Sequence, residues 1–125
     1  MLDQFKIPYK VAVDEPHGGR PISHKVATLM NECSAAIFVF TKDEEFRLAD
    51  GTSVWRPSEN IVYELGAAAV LYGSKIIIFK EEGIRFASDF QDLGYITFAP
   101  GEIGSRALDL LKELIALEFI RVQPV

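Results

Sequence analysis

The chain contains a single cysteine, Cys33. No intrachain disulfide can form, and a reducing, cytoplasmic setting is expected. No apolar run approaches the roughly 20 residues needed to cross a bilayer, so no membrane partner is expected. The opening Met1-Leu2-Asp3-Gln4-Phe5-Lys6 is too short and too polar to serve as a signal peptide. Positive charge is also scarce. Thirteen Lys and Arg against eighteen Asp and Glu leave a net charge of -5, which argues against a nucleic-acid backbone as the main partner. The only histidines, His17 and His24, lie in no Cys/His/Asp cluster with ligand spacing, so no metal is expected. Gly18-Gly19 lacks the GxGxxG and Walker spacings, which leaves a cleft-mouth or partner-contact loop as its reading. No Ser-His-Asp assembly is suggested, and no internal repeat or interdomain linker is visible.

What is present is apolar. The hydrophobic share is 49% over 125 residues, enough for one domain, 1–125, built on a buried sheet. Residues 9–13 read as a short strand, followed by a turn-rich loop over 14–22. Ser23 is a candidate N-cap for a helix to about Cys33, with Val26, Leu29, Met30 and Cys33 on one face. Cys33 reads there as a small core residue. Residues 35–40 form a continuous apolar strand, and 42–57 read as a long polar loop interrupted by Asp50-Gly51. Pro57 and Ser58 open the next helix, whose inner face carries Ile61, Val62, Leu65, Ala68, Ala69 and Tyr72, and Gly73-Ser74 ends it. Strands are expected at 75–79 and 95–98. A final amphipathic helix, about 104–119, is built on Ala107, Leu108, Leu111, Leu114, Ile115 and Leu117 or Glu118. The alternation is that of an α/β fold with a mainly parallel sheet flanked by helices. Ligands bind such sheets beyond the carboxyl ends of the strands. The loops 14–23, 42–57 and 80–88 leave those ends.

The most informative segment runs from Arg56 to Ala69. The apolar part of its helix carries one carboxylate, Glu64, on the flank of the apolar face, one turn after Asn60. An i, i+4 pair projects side by side, so Asn60 could orient the carboxylate, and partial burial would disfavour its ionised form. Such a group can stabilise an oxocarbenium-like ribose or attack its anomeric carbon. The same spacing equally fits an ordinary carboxylate on a helix flank. The helix start offers unpaired N–H groups to an anion. Arg56 beside it could clamp a diphosphate or simply pair with Asp50 or Glu59. Trp55 could stack on a base or anchor a loop. The run from Lys42 to Glu45 reads as a solvated loop, yet Thr41 and Asp43, just past a central strand, could touch a ribose.

These residues carry a resemblance. The motifs are Phe40-Thr41-Lys42-Asp43, then Arg56-Pro57-Ser58-Glu59-Asn60-Ile61-Val62-Tyr63-Glu64-Leu65-Gly66, an Ile-rich strand, Ala87-Ser88-Asp89-Phe90 and Gly94-Tyr95-Ile96. Over roughly residues 9–118 the chain resembles bacterial TIR-like domains held to bind nucleotides, among them those fused to STING-type cyclic-dinucleotide sensors in anti-phage defence. The resemblance implies a flavodoxin-like TIR fold and hydrolysis of NAD+ to nicotinamide and ADP-ribose or a cyclic form. It implies NAD+ as substrate rather than cofactor, with Glu64 as the catalytic glutamate. It also implies a homo-oligomer, with the 14–23 loop gating the site and mediating head-to-tail assembly. Two departures stand out. The family starts with a strand and helix before the segment that begins here near Tyr9, so an N-terminally shortened sheet that must re-pair is expected. Pro57-Ser58 replaces a basic and an amide residue. Two other readings remain in view. One is a nucleoside deoxyribosyltransferase, suggested by Asp50-Gly51-Thr52 although its spacing to Glu64 is too long. The other is a non-enzymatic nucleotide-binding or self-assembling module.

Overall fold

A computed structural model of the chain describes residues 1–12, 23–85, 94–121 and 123; of Glu59 and Asn60 it describes the backbone only. The elements follow as α1 (His24–Asn31), β1 (Ala36–Phe40), β2 (Glu44–Arg47), β3 (Ser53–Arg56), α2 (Glu59–Tyr72), β4 (Ile76–Glu81), β5 (Ile96–Phe98) and α3 (Ala107–Ala116). Short 3-10 turns lie at Leu2–Phe5 and Ile103–Arg106.

β1, β4 and β5 form a three-stranded parallel sheet in that order. Neighbouring parallel strands need a long crossover, and α2 lies in the connection between β1 and β4. Both faces of the sheet are covered, which is why β1 and residues 76–79 of β4 are unbroken apolar runs instead of alternating. On one face Phe38, Phe40, Ile78 and Ile84 meet Leu65 and Ala68 of α2, with Met30, Ile61 and Tyr72 around them. The Tyr72 hydroxyl donates to the Met30 carbonyl, which ties α2 to α1. On the other face Ile77, Phe79 and Phe98 meet Leu110 and Leu114 of α3, and Leu2, Phe5 and Ile7 close the edge of that cluster. Ser23 caps α1 as expected, its hydroxyl accepting from the Val26 N–H at 3.2 Å.

Three expectations are corrected. Residues 9–12 form no strand, and residue 13 lies outside the described residues. Tyr9 and Val11 are exposed, and the segment is held by side chains: Lys10 pairs with Glu32, and the Tyr9 hydroxyl donates to Asp3. Among the described residues β1 pairs with β4 alone. Among the described residues no neighbouring strand supplies the ladder bonds that 9–12 would need.

The second correction is the 42–57 loop, which folds as a β2–β3 hairpin with Glu45 opposite Trp55 and Phe46 opposite Val54. Its turn is built by Asp50-Gly51. The Asp50 carboxylate accepts from the Thr52 N–H and hydroxyl at 3.0 and 2.6 Å, and Gly51 takes φ +86°. Hydrogen bonds from Thr52 hold the Asp50 carboxyl below its ordinary range. A type I turn followed by a left-handed glycine is a standard three-residue hairpin connection.

The third correction concerns α3. Its inner row is Leu110 and Leu114, whereas Leu108 is 63% exposed. Leu114 is buried and Ala107, Leu111 and Leu117 are half-buried as expected, so the correction is confined to Leu110, which takes the core place expected of the exposed Leu108 and Ile115. Leu110→Ala should therefore destabilise the fold by about 2–5 kcal/mol. Leu108→Ala should change stability by no more than about 0.5 kcal/mol. Urea unfolding of the two variants compares them directly, and equal losses would put the core row elsewhere.

Candidate functional site

The carboxyl end of β1 runs straight into the start of α2 through one side chain. Asp43 accepts from the Thr41 hydroxyl at 2.7 Å and from the Ser58 N–H at 3.1 Å. Its own N–H donates to the Arg56 carbonyl at 3.2 Å, closing the base of the hairpin. Ser58 occupies the N-cap position of α2, but its hydroxyl makes no cap bond. Asp43, fifteen residues away in sequence, accepts from the N–H of Ser58 itself. A carboxylate is favoured there because the first N–H groups lack intrahelical partners and the helix dipole is positive at that end. The helix start thus already holds an anion of its own.

The ends of β1 and β4 are also joined. The Lys42 N–H donates to the Glu81 carboxylate at 3.3 Å, and the Lys42 side chain lies over Gly83. A Cβ at Gly83 would stand 2.7 Å from Lys42 Cε. Gly83 has φ +91°, so a side chain there would meet both strain and collision. Lys42, Glu81 and Gly83 escaped the sequence reading, which took the Lys42 run as solvated loop. The signal was available in principle: Phe40 faces Lys80 across the ladder, so the residues just beyond must meet at the strand ends.

Trp55 is half-buried at the seam between the hairpin and the chain leaving β4. It bridges to Ile84, and its carbonyl accepts from the Arg85 N–H at 2.8 Å. Arg56 is exposed, with its guanidinium 4.9 Å from the centre of the Phe46 ring, a cation–π contact. Asn60 lies in the first turn of α2, and its side chain is outside the described residues. Most of the 14–23 loop is outside them too.

Glu64 is half-buried. It follows Asn60 by one turn and directly precedes Leu65, which is buried at 4% exposure. It is the only ionisable carboxylate or base between residues 61 and 71, on a helix that starts beside Thr41 and Asp43. The structure therefore joins Thr41, Asp43 and the start of α2 directly, sets Arg56 and Trp55 on the adjoining hairpin, and carries Glu64 along the same helix. Among the described residues no three His, Cys, Asp or Glu side chains gather as a metal site requires. An open hollow of about 380 Å³ lies elsewhere, between β5 and α3, lined by Thr97, Arg106, Asp109, Lys112 and Glu113 among others. Its two acids balance its two bases.

A parallel sheet covered by helices on both faces, with polar residues converging where the strands end, is a flavodoxin-like α/β arrangement. The family of CAP12/Pycsar effector proteins, TIR domain, matches residues 1–100, and the chain belongs to it. The match takes in the segment from Thr41 to Glu64 and makes this a TIR-type effector domain. No curated protein and no solved structure matches the chain. No helix among the described residues is long and apolar enough to cross a membrane.

Because Asp43 caps α2 from outside the helix, Asp43→Ala should lower stability by about 1 kcal/mol. Asp43→Asn, which keeps an acceptor, should lose less. Chemical denaturation reads both, and an Asp43→Ala variant as stable as the parent would remove the cap from the account.

Proposed function

We propose that this TIR domain is a defence effector that cleaves the bond between nicotinamide and ribose in NAD+. The observation that carries the reading is Glu64, a half-buried carboxylate within the apolar part of α2, a helix that starts at the carboxyl end of a parallel sheet. Loss of nicotinamide leaves positive charge on the anomeric carbon and ring oxygen of the ribose. A carboxylate held at that carbon stabilises the oxocarbenium-like ion or traps it covalently. Attack by water then gives ADP-ribose and a proton, and attack by an adenine nitrogen of the same molecule gives a cyclic product.

The surrounding residues fit supporting roles. Thr41 and Asp43, just past the end of β1, suit hydrogen bonding to a ribose hydroxyl. Stacking on Phe46 uses the face of the Arg56 guanidinium and leaves its N–H edge to donate to a diphosphate oxygen. Trp55, half-buried beside it, offers a flat surface for a ring. NAD+ enters as substrate, so the chemistry calls for no further cofactor.

One observation favours a second reading, a nucleotide-binding or self-assembling module without catalysis. The Ser58 N–H, which a phosphate could otherwise use, is already taken by Asp43. The deoxyribosyltransferase reading gains nothing comparable, because Asp50-Gly51-Thr52 is committed to the hairpin turn.

Nicotinamide release from NAD+ separates the two main readings. The parent chain should release it, and Glu64→Gln should do so about 10²-fold more slowly or worse, with an unchanged circular-dichroism spectrum. Equal rates for the two would remove Glu64 from the chemistry. Binding of NAD+ without any release would establish the second reading.

A further inference from the structure

The turn that follows β4 is shaped around a lysine side chain from the end of β1. Residues 81–84 close with the Ile84 N–H donating to the Glu81 carbonyl at 3.4 Å. Gly83, third in the turn, takes φ +91°, as a type II turn requires. A Cβ there would stand 2.7 Å from Lys42 Cε and 3.0 Å from Lys42 Nζ. The absent side chain leaves a seat for the lysine, and Lys42 lies half-buried in it. The backbone of the same residue is pinned as well, because its N–H donates to the Glu81 carboxylate.

Two donors meet at this seat without an acceptor. Among the described residues the Lys42 ammonium makes no hydrogen bond or ion pair, and the Gly83 N–H makes no hydrogen bond. The nearby carboxylates are engaged elsewhere. Asp43 holds Thr41 and Ser58, and Glu81 faces the Lys42 backbone. A half-buried ammonium with no counter-charge is an arrangement that an anion completes.

We propose that the Lys42 ammonium and the Gly83 N–H form a phosphoryl-binding subsite that takes the diphosphate of a bound nucleotide. Its place favours that ligand. The subsite lies where β1 and β4 end, the side on which parallel sheets bind ligands, and Lys42 stands between Thr41 and Asp43, which suit a ribose. The start of α2 already holds the Asp43 carboxylate, so a phosphate must find its donors beside the helix. The chemistry fits too. A lysine offers a compact charge with three donors, and a glycine turn lets backbone N–H approach an oxyanion closely. The inference rests on the nucleotide-binding part of the reading above and does not require NAD+ to be cleaved.

Calorimetry of the full chain with two probes tests it. ADP-ribose carries the diphosphate but has no nicotinamide to lose, and adenosine carries no phosphate. The parent should bind ADP-ribose. Lys42→Met keeps an apolar stem over Gly83 and removes the charge, so it should lose about tenfold or more in ADP-ribose affinity at an unchanged thermal midpoint. Added salt should weaken ADP-ribose binding to the parent more than to Lys42→Met, and adenosine should bind both chains alike. Equal ADP-ribose affinity in the two chains overturns the subsite, and so does a parent that binds no ADP-ribose. A loss that adenosine shares also overturns it, because Lys42 would then shape the pocket instead of holding phosphate. Nicotinamide release is read separately. A chain that binds ADP-ribose through Lys42 but leaves NAD+ intact keeps the subsite and removes the cleavage reading. Cleavage of NAD+ with ADP-ribose binding indifferent to Lys42→Met does the reverse.

Discussion

The parallel ladder between β1 and β4, from Ala36 opposite Ile76 to Phe40 opposite Lys80, is the constraint on which the rest depends. Parallel neighbours cannot be joined by a tight turn. The chain must leave β1 at one end of the sheet and return to the other, and α2 makes that return. Once α2 lies across the sheet with Leu65 and Ala68 against Phe38, Phe40 and Ile78, the neighbouring Glu64 has one place to go, the flank of the contact. The ladder therefore fixes the position of the carboxylate before any local interaction does. The same ladder brings Lys42 to Glu81, so the strand ends are tied by a hydrogen bond as well as by packing.

Asp43 converts that arrangement into a defined start for the helix. Its two carboxylate oxygens hold the Thr41 hydroxyl and the Ser58 N–H, and its N–H holds the hairpin at Arg56. One residue thereby links the strand, the hairpin and α2. The arrangement has a functional cost, because an anion already sits where a phosphate could bind a helix start. In the proposed site the diphosphate must then rely on donors outside the helix, including Arg56, which rests on Phe46. α2 thus serves two surfaces at once: core on one side and the Glu64 flank beside it.

Continuous apolar runs made β1 and β4 legible from sequence to within a residue or two, because a strand buried on both faces has no polar alternation to confuse it. The Ser23 cap and the helical spacing of Ile61, Leu65, Ala68 and Tyr72 were legible for similar local reasons. The hairpin was missed although Asp50-Gly51 stands between Phe46 and Val54-Trp55, a turn pair between strand-forming residues; the charge of Glu44, Glu45 and Arg47 masked it. On α3 the expected Leu114 is buried, but Leu110 takes the core place expected of Leu108; both leucines fit a helical row, so spacing alone does not choose between them. Position explains the site in the same way. Glu64 was visible as the one charge between residues 61 and 71 of an apolar helix. Asp43 was singled out for a ribose, but its bond to a backbone N–H fifteen residues away and the fit of Lys42 over Gly83 exist only once the sheet is assembled.

The central claim is that the carboxyl ends of β1 and β4, with the start of α2, form the nucleotide site. Amide spectra of the isotope-labelled Glu64→Gln chain, titrated with NAD+, test it most directly because binding is read residue by residue without turnover. The account predicts shifts that gather on Thr41, Lys42, Asp43, Ser58 and the first turns of α2. Shifts confined to Thr97, Arg106, Asp109 and Lys112, around the hollow between β5 and α3, would contradict it.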